Sequence, residues 1–198
     1  MRYCLPEDVK LYLSITDSTD DTLLERMTLA ATAIINTVTK RIFEEPEVDE
    51  TRKYFTSSRI FKNNGVNNEF VIGDDFLSIT SIKNYDGTMV DMAKVYQLPF
   101  NSFPKWKVKL TAASGLHFGY CEEDDIIEVT GKFAYSSTPP DDSKQAAIRL
   151  TAWIYKQKDG GADLDRPIMT GEGTVVLPAH LPQDVELYLK PYIKEDLW

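Results

Sequence analysis

The hydrophobic periodicity of this chain changes twice along its length, and that change restricts the folds open to it. Apolar residues first recur at Leu24, Met27, Ala31, Ile34, Ile35, Val38 and Ile42, the spacing of one helix face. After the polar boundary Glu44-Glu45-Pro46-Glu47 the period shortens to that of strands. Runs at residues 52–56, 69–72, 76–82, 106–110 and 127–135 are separated by turn residues, and Asp86-Gly87 has hairpin-turn chemistry. The alternation at 106–110 and 127–130 means one buried and one wet face, as in antiparallel sheets. Helical spacing then returns at Ala146, Ala147, Leu150, Trp153, Ile154 and Gln157.

Local signals mark the ends of these elements. Pro6 suits a first helical turn, where its missing N–H costs nothing, and Val9, Leu11, Tyr12 and Leu13 give a short helix its apolar side. Ser18 or Thr19 is predicted to cap the next helix, with Asp20 and Asp21 at its positive end and Lys40 and Arg41 near its negative end. Pro139-Pro140-Asp141-Asp142-Ser143 starts a third helix. The glycine-rich segment from Asp159 to Gly173 reads as a flexible loop. Leu181-Pro182-Gln183-Asp184 opens a last short helix that Pro191 ends or kinks.

The order helices, strands, helices predicts an α+β chain. Two N-terminal helices, one long later helix and a short C-terminal helix form a helical bundle that carries an antiparallel β insertion. Residues 1–44 and 139–198 make the helical part with a C-terminal arm, and residues 45–138 the β-rich insertion. At 198 residues the chain is long enough for such a domain with a sizeable insertion.

Composition narrows the function classes. Net charge is −9 and no lysine and arginine cluster stands out, which argues against binding nucleic acid through a basic face. The acidic balance fits either plain solubility or a surface that DNA passes without sticking. No apolar run is long enough to cross a bilayer, and the first eight residues hold no apolar signal core, so neither membrane insertion nor secretion is expected. Cys4 and Cys121 lie far apart and suit free thiols in a reducing compartment.

Reactive constellations are hard to assemble from these residues. His117 and Cys121 are four apart, but the glycines around them disfavour a helix, and His180 and Cys4 supply no second ligand pair. No metal site, cofactor or catalytic residue is expected. The acid run Glu122-Glu123-Asp124-Asp125 reads as a solvated loop, and Gly171-Glu172-Gly173 lacks a dinucleotide pattern. Trp106 and Trp153 fall on apolar faces and are predicted to be core. Phe100 and Phe103, between Pro99 and Pro104, crowd one loop that packs over a sheet edge or meets a sugar or a neighbouring subunit.

Leu5-Pro6-Glu7-Asp8-Val9-Lys10-Leu11-Tyr12-Leu13, Ile15-Thr16-Asp17 and Asp20-Asp21-Thr22-Leu23-Leu24-Glu25-Arg26, followed by Ala30-Ala31-Thr32-Ala33-Ile34-Ile35, resemble the opening and the long helix of the head–tail connector (head-completion adaptor) family of tailed bacteriophages. Pro140, Ala146-Ala147, Leu150 and Tyr155 resemble its third helix. Leu181-Pro182-Gln183-Asp184-Val185 and Leu189-Lys190-Pro191-Tyr192 resemble its ending. The resemblance covers about half the chain.

The resemblance implies a structural virion protein at the neck, assembled in the host cytoplasm, with no reaction of its own. It implies a homo-oligomeric ring, commonly twelve-fold, under the portal protein, with a DNA channel and a face for a stopper or tail-completion protein. Tyr188, Leu189, Pro191, Tyr192, Ile193, Leu197 and Trp198 are then candidates for a portal-binding arm, and Phe100 and Phe103 for subunit interfaces. Two other readings stay open here: a tail-completion or other tube component, and an enzyme with an unrecognised site.

Overall fold

A computed structural model describes residues 2–56, 59–63, 66–118, 126–157, 168–169, 175–176 and 181–194. The chain is mixed α and β, with antiparallel sheets. It divides into two compact units, Met1–Arg41 with Pro139–Glu195, and Ile42–Thr138 with Asp196–Trp198.

The first unit holds α1 (Pro6–Leu13), α2 (Asp21–Thr39), α3 (Asp141–Gln157) and α4 (Gln183–Leu189). Pro6 occupies the first turn of α1, and the Asp8 carboxylate accepts from the Leu5 N–H at 2.9 Å, satisfying a donor the helix leaves open. The N-cap of α2 is Asp20 rather than Ser18 or Thr19, and its side chain makes no cap bond. Its carboxylate instead accepts from the Tyr155 hydroxyl of α3 at 2.6 Å, so a tertiary contact displaces the local one. At the other end α2 stops at Thr39, because Lys40 adopts the left-handed conformation at φ 55°. Lys40, Arg41 and Ile42 therefore follow the helix and do not extend it.

Helix α3 packs against α1, α2 and α4, and the interior is built from Val9, Leu24, Ala31, Ile35, Ala146, Ala147, Leu150, Val185 and Leu189. Alanines on facing helices let the backbones approach. Thr28, Thr32 and Thr39 of α2 are also buried. Each satisfies its hydroxyl on a carbonyl three or four residues back, at 2.7–2.9 Å, so none of these three hydroxyls is stranded.

The second unit contains β1 (Glu50–Phe55), β2 (Ile60–Asn63), β3 (Val66–Phe76), β4 (Ser78–Lys83), β5 (Val95–Leu98), β6 (Lys105–Leu110) and β7 (Ile126–Lys132). One sheet has the order β1-β7-β4 and the other β2-β3-β6-β5, and every pairing is antiparallel. The inward set includes Phe70, Ile72, Phe76, Val108, Leu110, Phe118, Ile127 and Val129. Each such large side chain contributes about 1.5–3 kcal/mol on leaving water. The Asp86-Gly87 turn forms as expected: Gly87 takes φ +85°, and its N–H donates to the Asn84 carbonyl at 2.9 Å.

A further antiparallel pair joins β8 (Ile168–Met169), inside the segment expected to be a loop, to β9 (Val175–Val176) just after it. The rest of that segment, Gly171 to Gly173 included, lies outside the described residues.

Candidate interaction surfaces

The C-terminal stretch is the first candidate. After α4 the chain makes a 3-10 turn, Lys190–Tyr192, in which Pro191 occupies the first turn. The helix ends there, but the chain does not leave its unit at that point. The Arg41 guanidinium donates through Nε to the Tyr192 carbonyl at 2.8 Å, and the Lys194 N–H donates to the Thr39 carbonyl at 3.0 Å. The latter bond satisfies one of the carbonyls that the end of α2 leaves open. The Tyr192 hydroxyl reaches Asp142 at 3.4 Å.

Upstream, Arg149 of α3 donates through Nε to Asp184 of α4, and through Nη1 to the Tyr12 hydroxyl of α1 at 2.9 Å. One guanidinium thus ties three helices. The hydrogen bond from Arg149 lowers the Asp184 pKa, and the same bond raises that of Arg149.

These contacts sort the arm candidates. Leu189 is fully buried, so it is a core residue and is closed to a partner while α4 stays docked. Tyr188 and Tyr192 are half-buried, whereas Pro191 and Ile193 are exposed. Leu197 and Trp198 lie outside the described residues. Sequence reading missed Leu187, which is 70% exposed and stands beside Ile193. With Val38 and Leu181 they line an open groove of about 810 Å³ along α4, whose rim carries Asp184, Glu186 and Lys190. An exposed leucine in a short helix has no mark in the sequence that separates it from a core one.

The second candidate is the β5–β6 hairpin. Residues 99–104 turn the chain, and Phe100 and Phe103 are 62% and 60% exposed, so they do not pack over the sheet edge. Phe100 and Tyr96 meet edge to face, at 5.2 Å between ring centres, and Lys105 Nζ lies 5.5 Å from the Phe103 ring centre. Trp106 is 38% exposed, against the expectation that it is core. It shares a strand face with the buried Val108 and Leu110 but sits at the hairpin end, past the edge of the hydrophobic interior. Trp153 is half-buried.

Several polar groups of the second unit are engaged with one another. Arg52 and Tyr54 both donate to Asp74, at 3.0 and 2.8 Å, and the Arg52 guanidinium stacks on Phe133 at 4.2 Å. Burial, reinforced by Asp74, raises the Tyr54 phenol well above its ordinary value. His117 is exposed, Cys4 is buried, and Cys121, His180 and residues 122–125 lie outside the described residues. Among the described residues no group of three or more histidine, cysteine, aspartate or glutamate side chains is arranged to hold a metal ion, and no helix is long and apolar enough to cross a membrane.

No protein-family model and no curated protein sequence matches this chain. Solved structures do match it. A chain from the neck of an empty gene transfer agent (GTA) particle, computed with C6 symmetry, aligns with a TM-score of 0.56 at 12% identity, covering 98% of this chain and 90% of that one. A chain from the neck of the native GTA particle, computed with C12 symmetry, gives 0.51 at 14% identity over 90% and 85%. A chain from the virion of the native particle gives 0.52 at 14% over 92% and 82%. At such identity the likeness is one of fold, and this chain shares its fold with chains from gene transfer agent necks, the kind of protein that the head–tail connector resemblance named.

Proposed function

We propose that this chain is a structural virion protein of the neck, an adaptor ring subunit that joins the portal vertex of a phage or phage-like head to its tail. The observation that carries the reading is the fold likeness to a neck chain over 98% of the sequence. It meets an independent resemblance in residue pattern at both chain ends. In this reading a dozen or so copies surround the DNA channel, and the portal protein and a stopper or tail-completion protein are the neighbours. The net charge of −9 per copy supports a conduit that repels the DNA backbone. The role is structural and needs no cofactor.

The portal-binding arm in this proposal is narrower than the sequence suggested. Residues up to Lys194 are tied to α2 and α3, so in this proposal the portal takes the segment 195–198, with Leu197 and Trp198. Aromatic anchors seated in a partner pocket contribute about 2 kcal/mol or more each, and repetition around a ring multiplies a weak attachment. The test is a reconstruction of particles carrying the tagged chain, alongside a chain truncated after Lys194. Density between portal and tail that is lost on truncation, with the truncated chain still folded, is the expected result. Density along the tail tube would overturn the adaptor reading in favour of a tail component.

A further inference from the structure

We propose that the β5–β6 hairpin of one copy inserts Phe100 and Phe103 into the α4 groove of a second copy, forming the head-to-tail contact of the oligomer. The inference rests on the ring reading above and names a contact within it. Two features of the molecule carry it, one protruding and one receptive.

The hairpin is an apolar knob with a basic stem. Its two phenyl rings are more than half exposed, and burying aromatic rings of this size removes on the order of 150–250 Å² of surface apiece. Between Met92 and Cys121 the sequence carries Lys94, Lys105, Lys107 and Lys109 and no aspartate or glutamate, inside a chain of net charge −9. Strand alternation puts Lys105, Lys107 and Lys109 on one face of β6. Lys107 and Lys109 are both held by Glu69 at 2.9 Å, and Lys105 Nζ donates to the Gln97 carbonyl at 3.3 Å and stands over Phe103. The stem is therefore locally basic, and Lys105 is the cation nearest the tip.

The groove is complementary in both respects. Val38, Leu181, Leu187 and Ile193 give it an apolar lining, and its 810 Å³ suits a pair of aromatic side chains. Glu186 stands exposed on the rim next to Leu187, and no ion pair occupies it among the described residues. It is placed to receive Lys105. The hairpin and the groove are different patches on one chain, so joining them between copies is heterologous, the class of contact from which rings are built when it closes. Asp184 on the same rim is taken by Arg149 and Lys190 is also there, so the pairing of Glu186 with Lys105 is the charge contact that orients the encounter. Nucleic acid is a poorer occupant of the hairpin, because Glu69 already engages two of the lysines and the chain as a whole is acidic.

The contact is tested in solution with the full chain. A Cys121→Ser chain carrying Ser102→Cys is spin-labelled at the hairpin and mixed, unlabelled in isotope, with ¹⁵N-labelled chain that has no spin label. Cys4 is buried and stays unlabelled. The expected result is loss of amide intensity at Leu187, Lys190 and Ile193 of the isotope-labelled copy. The loss disappears when the spin-labelled copy also carries Phe100→Ser and Phe103→Ser. It weakens with Glu186→Lys in the isotope-labelled copy and recovers when the spin-labelled copy carries Lys105→Glu; Glu186 is exposed and Lys105 half-buried, and neither belongs to the core. No intensity loss, or loss centred away from α4, overturns the proposal. So does single-stranded DNA of mixed sequence, if it shifts the Lys105, Lys107 and Lys109 amides and abolishes the broadening. Because the readout needs no particle, the contact can fail while neck localisation stands, and the reverse.

Discussion

Lys109 Nζ lies 2.9 Å from Glu69 Oε1, between residues that face each other in the β3–β6 register, and Lys107 reaches the other oxygen of the same carboxylate at 2.9 Å. The two lysine hydrogen bonds hold the Glu69 carboxyl at about 2, against an ordinary 4.5. A depressed carboxylate stabilises the fold fully above the unfolded value and loses that contribution as pH falls through the folded one. Glu69→Gln should cost about 1–2 kcal/mol at neutral pH. The gap between variant and parent should close between pH 4.5 and about 2. Urea titrations across that range measure it, and a gap independent of pH would refute the assignment.

Gly131 sits in β7 opposite Ile79 of β4. A Cβ added there would run into the Ser78 carbonyl oxygen and come within 2.9 Å of the Ile79 Cα. Both obstacles are backbone, so β4 must move for alanine to fit. Gly131→Ala should cost roughly 2–3 kcal/mol, in the range of overpacked sites. Thermal unfolding reads this out, and a neutral substitution would mean that β4 and β7 pair more loosely.

Arg149 joins Tyr12, Asp184 and its own helix α3. Its partners are partly exposed, so Arg149→Ala should lower global stability by only about 0.5–1 kcal/mol. Local opening should respond more strongly. Hydrogen exchange at Val185 to Leu189 should accelerate ahead of α2 and α3. Uniform acceleration across all helices would show that α4 opens only with the whole unit.

Cys4 is buried, and desolvation raises its thiol to about 11. In a Cys121→Ser background it should resist a thiol reagent at neutral pH in the native chain. It should react fully once the chain is unfolded, because the thiolate is the reactive form. Rapid labelling of the native chain would show that the packing around Cys4 opens readily.

The order of elements was legible from the sequence because it depends on local pattern. The helical spacing from Leu24 to Val38 and from Ala146 to Ile154, the alternation along β6 and β7, and the Asp86-Gly87 turn all rest on backbone preferences and side-chain period. β2 and β5 were not legible: at four residues each, they exist because β3 and β6 offer them partners. The capping of α2 illustrates the same limit, since Asp20 faces Tyr155, 135 positions away. The candidate surfaces divide in the same way. Phe100 and Phe103 are marked by flanking prolines, but only the hairpin's position beyond the core leaves them, and Trp106, in solvent. Leu187 and Leu189 are two residues apart in one helix; the first is exposed and the second wholly buried. Composition and period assign both to an apolar helix, and which one is offered to a partner is decided by the side of α4 that α3 covers.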